Sequence, residues 1–198
     1  RRYKLHIRTF IKIEIEMALL EIKKLGCATL RKKATPFQDV TDETRKLVQD
    51  MFETMYEAEG IGLAANQVGV TERILILDVR PHHPESESMV FINPEIIWSA
   101  GEFTGEEGCL SLPGISGEVK RPAQVRVRAL GDDGEAFLME LDGMGAKALQ
   151  HEVDHLDGVL VLEHFSVIKR NLLRNQLRKL QKEGKNQTLN LKYIERER

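Results

Sequence analysis

The pentapeptide His151-Glu152-Val153-Asp154-His155 constrains this 198-residue chain more than any other feature. Positions i and i+4 of an α-helix lie on one face, so a helix here would bring both imidazoles to one metal ion. Glu152 would lie one position further round, where its carboxylate reaches a water molecule on the metal without being a ligand. The alternative is a solvated helix face that carries two surface histidines. The rest of the sequence has to decide between these two interpretations.

The composition is typical of a globular domain that is long enough to bury a core, with 30% charged and 41% hydrophobic residues. The formal net charge of -2 argues against nucleic acid as the partner of the whole chain. No apolar run approaches the length of a membrane span, so we expect no membrane partner. Two cysteines, Cys27 and Cys109, cannot build a disulfide framework, which indicates a reducing, intracellular compartment.

Residues 1–16 differ from the rest of the chain, because basic and alternating Ile/charged residues fill the segment up to Met17. The segment lacks the apolar region and the small-residue cleavage site of a secretory signal. We expect Met17 to be the natural start and residues 1–16 to be an upstream extension outside the fold. An organelle-targeting remnant is the alternative, although the segment has no serine and contains Glu14 and Glu16.

Hydrophobic periodicity predicts an α+β fold. We expect helices after an N-cap at Thr41 up to Gly60, over 146–156 with Gly158 as the stop, and over 165–182, followed by a tail at 183–198. Apolar runs at 74–77 and 89–92 predict buried strands, and the alternating residues 124–129 lead through a Gly-Asp turn into a second strand at 136–139. The apolar face predicted for the last helix consists of Ile168, Leu172, Leu173, Leu177 and Leu180.

A catalytic metal needs a third protein ligand, and the position of that ligand separates the possible enzymes. In metzincin proteases a histidine follows at a fixed spacing; here Gly158 matches that pattern, but Val161 occupies the ligand position. A thermolysin-like site needs a downstream glutamate. Glu163 lies too close to His155, and the next acid is Glu183.

The remaining candidate for the third ligand is Cys109, in the segment Glu107-Gly108-Cys109-Leu110-Ser111. A free cysteine is more commonly a small buried hydrophobe. Here the preceding glycine lets another group approach the backbone closely, and the proposed metal site still needs one soft ligand. We therefore expect Cys109 to bind the metal.

A third segment, Gly60-Ile61-Gly62-Leu63-Ala64-Ala65-Asn66-Gln67, matches the dinucleotide-binding pattern G-x-G-x-x-A. That interpretation needs a strand before the glycines and a helix after them. This segment follows a helix and leads into a strand, which disfavours nucleotide binding. A glycine-rich loop also lets a substrate backbone lie close, and the Gln67 amide can donate to a developing oxyanion.

These three segments, in this order, resemble the motifs of the peptide deformylases. The resemblance covers roughly residues 17–180. It is to the bacterial type of the family, which has a C-terminal helix. It implies one catalytic domain over 17–198, in which small antiparallel or mixed sheets pack around the helix with the pentapeptide. It also implies that the enzyme removes the N-formyl group from the initiator methionine of newly made polypeptides and releases formate. The location would be the bacterial cytoplasm, or an organelle if residues 1–16 are a targeting remnant.

Carried over by position, the metal ligands would be Cys109, His151 and His155, with a water molecule in the fourth position. Glu152 would accept the proton of that water as it attacks, and would then pass it to the leaving amine. The oxyanion would be held by the metal, the Gln67 side chain and the Leu110 backbone N–H. Ligand type alone suggests zinc. The resemblance implies one Fe²⁺ per chain, with Ni²⁺ or Co²⁺ as active substitutes and Zn²⁺ as a poor one.

The resemblance also places the substrate. Backbone groups of Ile61 and Gly62 would pair with an extended peptide, as a strand adds to a sheet edge. The methionine side chain would enter an apolar pocket near Ile61, Met144 and Ala148.

Asp154, paired with Arg121, would orient the helix that carries the ligands. An ordinary surface ion pair is the alternative.

The segment 165–182 carries only basic charges: Lys169, Arg170, Arg174, Arg178, Lys179 and Lys182. A solvated helix face is the simpler explanation, but the implied substrate emerges from a ribosome whose surface is polyanionic RNA. We therefore expect weak ribosome association through this helix. We expect the chain to be a monomer.

Two other classes of protein remain as alternatives. Val161 disfavours a zinc peptidase, and the intact Glu152 and Gln67 argue against a non-catalytic metal-binding relative.

Overall fold

The computed structural model describes residues 18–187. The expectations for residues 1–16, for Met17 as the start and for the tail beyond residue 187 therefore lie outside the described residues. Between residues 18 and 187, no helix is long and apolar enough to cross a membrane.

Six consecutive strands lie between the first long helix region and the C-terminal helices, so strands and helices are largely segregated along the described chain, as in the α+β class. The α-helices within residues 18–187 are α1 (Asp42–Glu57), α2 (Gly143–Leu156), α3 (Val167–Leu172) and α4 (Arg174–Gly184). Short 3₁₀ helices span Ala28–Arg31, Ala65–Val68 and Val161–Glu163. The strands are β1 (Gly62–Ala64), β2 (Ile74–Leu77), β3 (Met89–Ala100), β4 (Phe103–Gly108), β5 (Ser116–Arg121), β6 (Gln124–Leu130) and β7 (Ala136–Asp142).

Two antiparallel sheets surround α2. The larger sheet has the order β1-β2-β3-β6-β7, and β4 pairs with β5 in a separate hairpin. α2 packs on the larger sheet through Leu149, Val153 and Leu156, which share a core with residues such as Phe91 and Val127. The α+β arrangement around a central helix is confirmed.

Helix α1 begins as the sequence predicts. The side chains of Thr41 and Thr44 each accept a hydrogen bond from the other residue's backbone N–H, which satisfies donors that a helix start leaves free. The helix ends at Glu57, earlier than the predicted stop at Gly60. Glu59 adopts the left-handed conformation with φ 55, and the Gly60 N–H then closes the turn on the Met55 carbonyl over 2.8 Å.

Helix α2 ends where predicted, because Gly158 follows it with φ 77. A Cβ at this position would lie 2.7 Å from the Arg31 carbonyl oxygen, so only glycine fits both the conformation and the space. The predicted hairpin of β6 and β7 is also confirmed, and Val125, Val127 and Ala129 face the core. Strand β3 continues to Ala100, well past the apolar run at 89–92 that predicted it.

The predicted C-terminal helix is confirmed, but it is divided in two and its bounds differ from the predicted 165–182. The helix is interrupted at Leu173, whose ψ of -2 departs from helical geometry, and the two parts are α3 and α4. Phe165 precedes α3 and packs against Gly117. Of the predicted apolar face, Leu180 is buried, but Ile168 and Leu172 are 74% and 78% exposed.

Candidate active site

Cys109, His151 and His155 meet at the C-terminal end of β4 and on the inner face of α2. Their potential ligand atoms all lie within 4.8 Å of one another. The Cys109 Sγ lies 3.2 Å from the His155 Nε2, and both histidines are buried. One thiol and two imidazoles suit zinc, iron, cobalt or nickel, so the donor set fits a transition metal.

Glu152 lies between the two histidines in sequence and is almost fully buried. Its Oε2 has no hydrogen-bond partner among the described residues. Burial raises its pKa to about 7, although the positive charge of Arg121 acts in the opposite direction. A carboxyl group with this pKa can exchange a proton near neutral pH, as a general base requires.

Glu107 fixes the orientation of the His151 imidazole. Its Oε2 lies 3.0 Å from His151 Nδ1, and Arg121 donates to both of its oxygens over 2.7 and 3.0 Å. Burial alone would raise the pKa of Glu107, but the bonds from His151 and Arg121 outweigh it and lower the pKa to about 2. The ionised carboxylate can only accept, so the proton sits on Nδ1 and leaves Nε2 for a metal.

The predicted pair of Arg121 and Asp154 is confirmed, with Nη1 and Oδ2 2.9 Å apart. It is not an ordinary surface pair, because the Arg121 side chain is only 5% exposed. The guanidinium is held between Asp154 on α2 and Glu107 on β4. This ion pair therefore joins the helix to the hairpin that carries Cys109.

Gln67 reaches the ligand cluster from the 3₁₀ helix that follows β1. Its Oε1 accepts from the backbone N–H of Ala64 over 2.7 Å, which turns the amide nitrogen inward. The Nε2 lies 3.7 Å from the Cys109 sulfur and 3.4 Å from Ser111 Oγ. The amide nitrogen thus faces the Cys109 sulfur and the Ser111 hydroxyl.

A cavity of about 900 Å³ opens beside these groups. Among the residues that line it are Ile61, Gly62, Met144 and Ala148, which the sequence proposed for substrate binding, together with Leu110 and Glu152. The mixture of apolar walls and a few polar groups is typical of a small-ligand site.

Strand β1 forms one wall of the cavity and is an edge of the larger sheet. The Ile61 carbonyl accepts from the Asp78 N–H over 2.8 Å, so this carbonyl points into the sheet. In an antiparallel ladder the next pair, Gly62 with Leu77, does not exchange hydrogen bonds. The N–H and C=O of Gly62 therefore point to the open edge, where an extended peptide could pair.

Two residues of the site were missed by the sequence analysis, Glu107 and His164. Glu107 had a signal, since residues i and i+2 of a strand share a face and Glu107 precedes Cys109 by two positions. His164 had none: its Nε2 lies 2.8 Å from Asp154 Oδ2, but no motif contains it.

A His-Glu-x-x-His helix with a nearby cysteine in an α+β fold is typical of metal-dependent hydrolases. Comparison with known proteins specifies the family. The polypeptide deformylase family matches residues 19–171. The chain is 46% identical over 162 residues to a peptide deformylase of Thermodesulfovibrio yellowstonii, covering 82% of this chain and 98% of that protein. It is 49% identical over 168 residues to one of Teredinibacter turnerae, covering 84% and 99%.

Solved structures give the same result. A peptide deformylase from Legionella pneumophila has a TM-score of 0.77 at 39% identity and covers 86% of this chain and 99% of that one. One from Thermus thermophilus has a TM-score of 0.77 at 38% identity and covers 84% and 99%. The chain belongs to the peptide deformylase family. It is therefore a hydrolase that acts on the formyl amide of N-formylmethionine in newly made polypeptides.

Proposed function

We propose that this hydrolase removes the formyl group with one divalent metal ion held by Cys109, His151 and His155. The observation that supports this proposal is a set of three donors within 4.8 Å, two of them buried imidazoles, next to the Glu152 carboxylate oxygen that has no hydrogen-bond partner among the described residues. When bound, the ion would polarise the formyl oxygen and acidify a water molecule. Three protein ligands leave a position open for catalysis.

Glu152 moves the proton in this proposal. Its carboxylate accepts a proton from the attacking water and later donates it to the nitrogen of the leaving methionine, so that formate and a free amine result. The pKa of about 7 supports both directions of transfer.

Gln67 and Leu110 stabilise the negative charge that develops on the formyl oxygen. The Gln67 amide is fixed by its own bond to Ala64, so no reorganisation is needed when the charge appears. The backbone N–H of Leu110, directly after Cys109, supplies the second donor.

The substrate lies along β1 in an extended conformation. Gly62 pairs with its backbone through the open edge, and Ile61, Met144 and Ala148 surround the methionine side chain in the cavity. Glycine at position 62 also leaves room for Glu152, because a Cβ there would lie 2.6 Å from Glu152 Oε1.

We propose Fe²⁺ as the metal, with Ni²⁺ and Co²⁺ as active substitutes and Zn²⁺ as a poor one. The donor set alone accepts all four ions, since selectivity depends on geometry and metal supply. The choice of Fe²⁺ rests on the resemblance of the three motifs to the family.

Three further proposals concern the cellular context. Residues 17–198 form one catalytic domain that acts as a monomer, because all three ligands and Glu152 come from a single chain. The thiol ligand Cys109 requires a reducing compartment, which supports the bacterial cytoplasm. The basic residues of α3 and α4 support weak ribosome association.

The test measures metal content and turnover of formyl-Met-Ala-Ser by protein loaded with Fe²⁺ under exclusion of oxygen. The wild type should bind one ion per chain and hydrolyse the formyl bond, while a peptide with only internal bonds stays intact. Cys109→Ala should lose most of its metal. The matched control is Cys27→Ala, a buried cysteine outside the cavity, which should keep its metal. Stoichiometric metal in Cys109→Ala would refute the ligand assignment, and cleavage of internal bonds would favour a peptidase.

A further inference from the structure

Hydrogen-bonded charged side chains connect the molecular surface to His151. The His164 Nε2 lies 2.8 Å from Asp154 Oδ2, and Arg121 Nη1 donates to the same oxygen over 2.9 Å. Arg121 also donates to both oxygens of Glu107, and Glu107 Oε2 lies 3.0 Å from His151 Nδ1. His164 is the outer end of this network, with its side chain 32% exposed.

The charges within the network explain why its outer end matters. Two carboxylates, Glu107 and Asp154, share one guanidinium, so the network carries excess negative charge in a largely buried place. Buried charges are stable only where they are paired and hydrogen-bonded. Since the Asp154 carboxylate can only accept, His164 presents an Nε2–H donor to it. Without this donor, Asp154 would depend on Arg121 alone and would compete more strongly with Glu107 for the guanidinium.

We propose that His164 is a positioning residue of the metal centre, which holds Asp154 and thereby fixes Arg121, Glu107 and the imidazole of His151. This inference rests on the proposed function, because it presumes a metal ion at His151. Partners that contact a metal-binding histidine directly change metal affinity by roughly 10- to 100-fold when they are removed. His164 acts through two further side chains, so its effect should be smaller.

The test compares His164→Ala and His164→Gln in the full-length, Co²⁺-loaded protein. The readouts are the rate of metal loss to a chelator and the visible absorption of the bound Co²⁺. His164→Ala should lose Co²⁺ at least about 3-fold faster than the wild type, an effect smaller than the one expected for a direct partner of His151. The visible absorption of the bound Co²⁺ should also change. His164→Gln should behave like the wild type, because its Nε2–H can replace the imidazole donor. The matched control, His83→Ala, removes an exposed histidine in the loop after β2 and should change nothing.

A double mutant separates positioning from a merely structural role. In a Glu107→Gln background, His164→Ala should cause no further change in metal loss, because the path to His151 is already interrupted. Additive effects, or a wild-type rate for His164→Ala in a chain that binds one Co²⁺, would overturn this inference and leave the proposed function intact. A wild-type chain that binds no metal would overturn both. The metal-free His164→Ala chain should be less stable than the wild type, because Asp154 loses a hydrogen bond, and His164→Gln should restore the stability. A loss of stability that His164→Gln does not rescue would also overturn the positioning role.

Discussion

At the scale of single residues, the site depends on two carboxylates with opposite proton affinities. Burial without a hydrogen bond to Oε2 raises the pKa of Glu152 to about 7. Glu107 is also buried, but two partners donate to it, and its pKa falls to about 2. The first group is suited to transfer a proton, and the second is a permanent anion that orients His151.

Replacing Glu152 by Gln should retain the metal and abolish most of the turnover. The amide preserves the shape of the side chain but cannot accept a proton, so kcat for formyl-Met-Ala-Ser should fall by at least about 10²-fold. The measurement pairs kcat with metal content, and Glu118→Gln on the exposed side of β5 serves as the control. Near-normal kcat in a metal-replete Glu152→Gln protein would show that another group is the base.

The sequence could predict this chemistry only where a motif is local. The spacing of His151, Glu152 and His155 determines their relative positions on a helix, so the five-residue motif alone predicted three functional groups. The spacing of Glu107 and Cys109 signalled a shared face, but the contact of Glu107 with Arg121 was not predictable, because Arg121 lies on β5 and the pairing of β4 with β5 had no sequence signal. His164 lies outside every motif, and its contact with Asp154 exists only in the folded chain.

At the scale of secondary structure elements, β1 brings substrate and base together. A methyl group at Gly62 would lie 2.6 Å from Glu152 Oε1 and 3.0 Å from its Cγ. Gly62→Ala should therefore displace the carboxylate while the fold persists, because the contact is the flexible end of a side chain. A displacement of about 1 Å can cost up to about 10²-fold in rate, and we expect kcat to fall by about 10- to 100-fold.

The control for Gly62→Ala is Gly145→Ala on α2, where the new Cβ would meet Leu141 at an ordinary 3.5 Å. Kinetics with formyl-Met-Ala-Ser and thermal unfolding should be measured for both variants. If Gly62→Ala keeps the wild-type kcat, turnover does not depend on the observed position of the Glu152 carboxylate.

The helices and strands with strong hydrophobic periodicity were predicted, and those with weak periodicity were not. Helices α1 and α2 have long apolar faces and were found, whereas β1 has three residues and β4 contains two glycines and no regular alternation. The interruption at Leu173 had no sequence signal, because residues 165–182 contain neither proline nor glycine. At the two ends of the segment, Phe165 contacts Gly117, and Gly184 packs closely against the backbone oxygens of Lys24 and Leu25.

At the scale of the whole molecule, the formal net charge of -2 conceals an uneven distribution. Helices α3 and α4 carry six basic residues and one acid, Glu183, which pairs with Lys24. Leu180 turns to the core, while Arg174, Arg178 and Lys182 are exposed. Their spacing of four residues places these three cations on one face of α4.

The proposed ribosome association should depend on that face. Replacing Arg174, Arg178 and Lys182 together with Gln should weaken co-sedimentation with ribosomes, most clearly at low salt, because contacts with RNA phosphates release counterions. Turnover of formyl-Met-Ala-Ser should stay unchanged, since none of the three lines the cavity. A triple replacement of Lys120, Arg126 and Arg128 by Gln removes the same charge from β5 and β6, where each cation pairs with a carboxylate. Equal sedimentation of both triple variants and the wild type at low salt would mean that the basic face of α4 is only solvated.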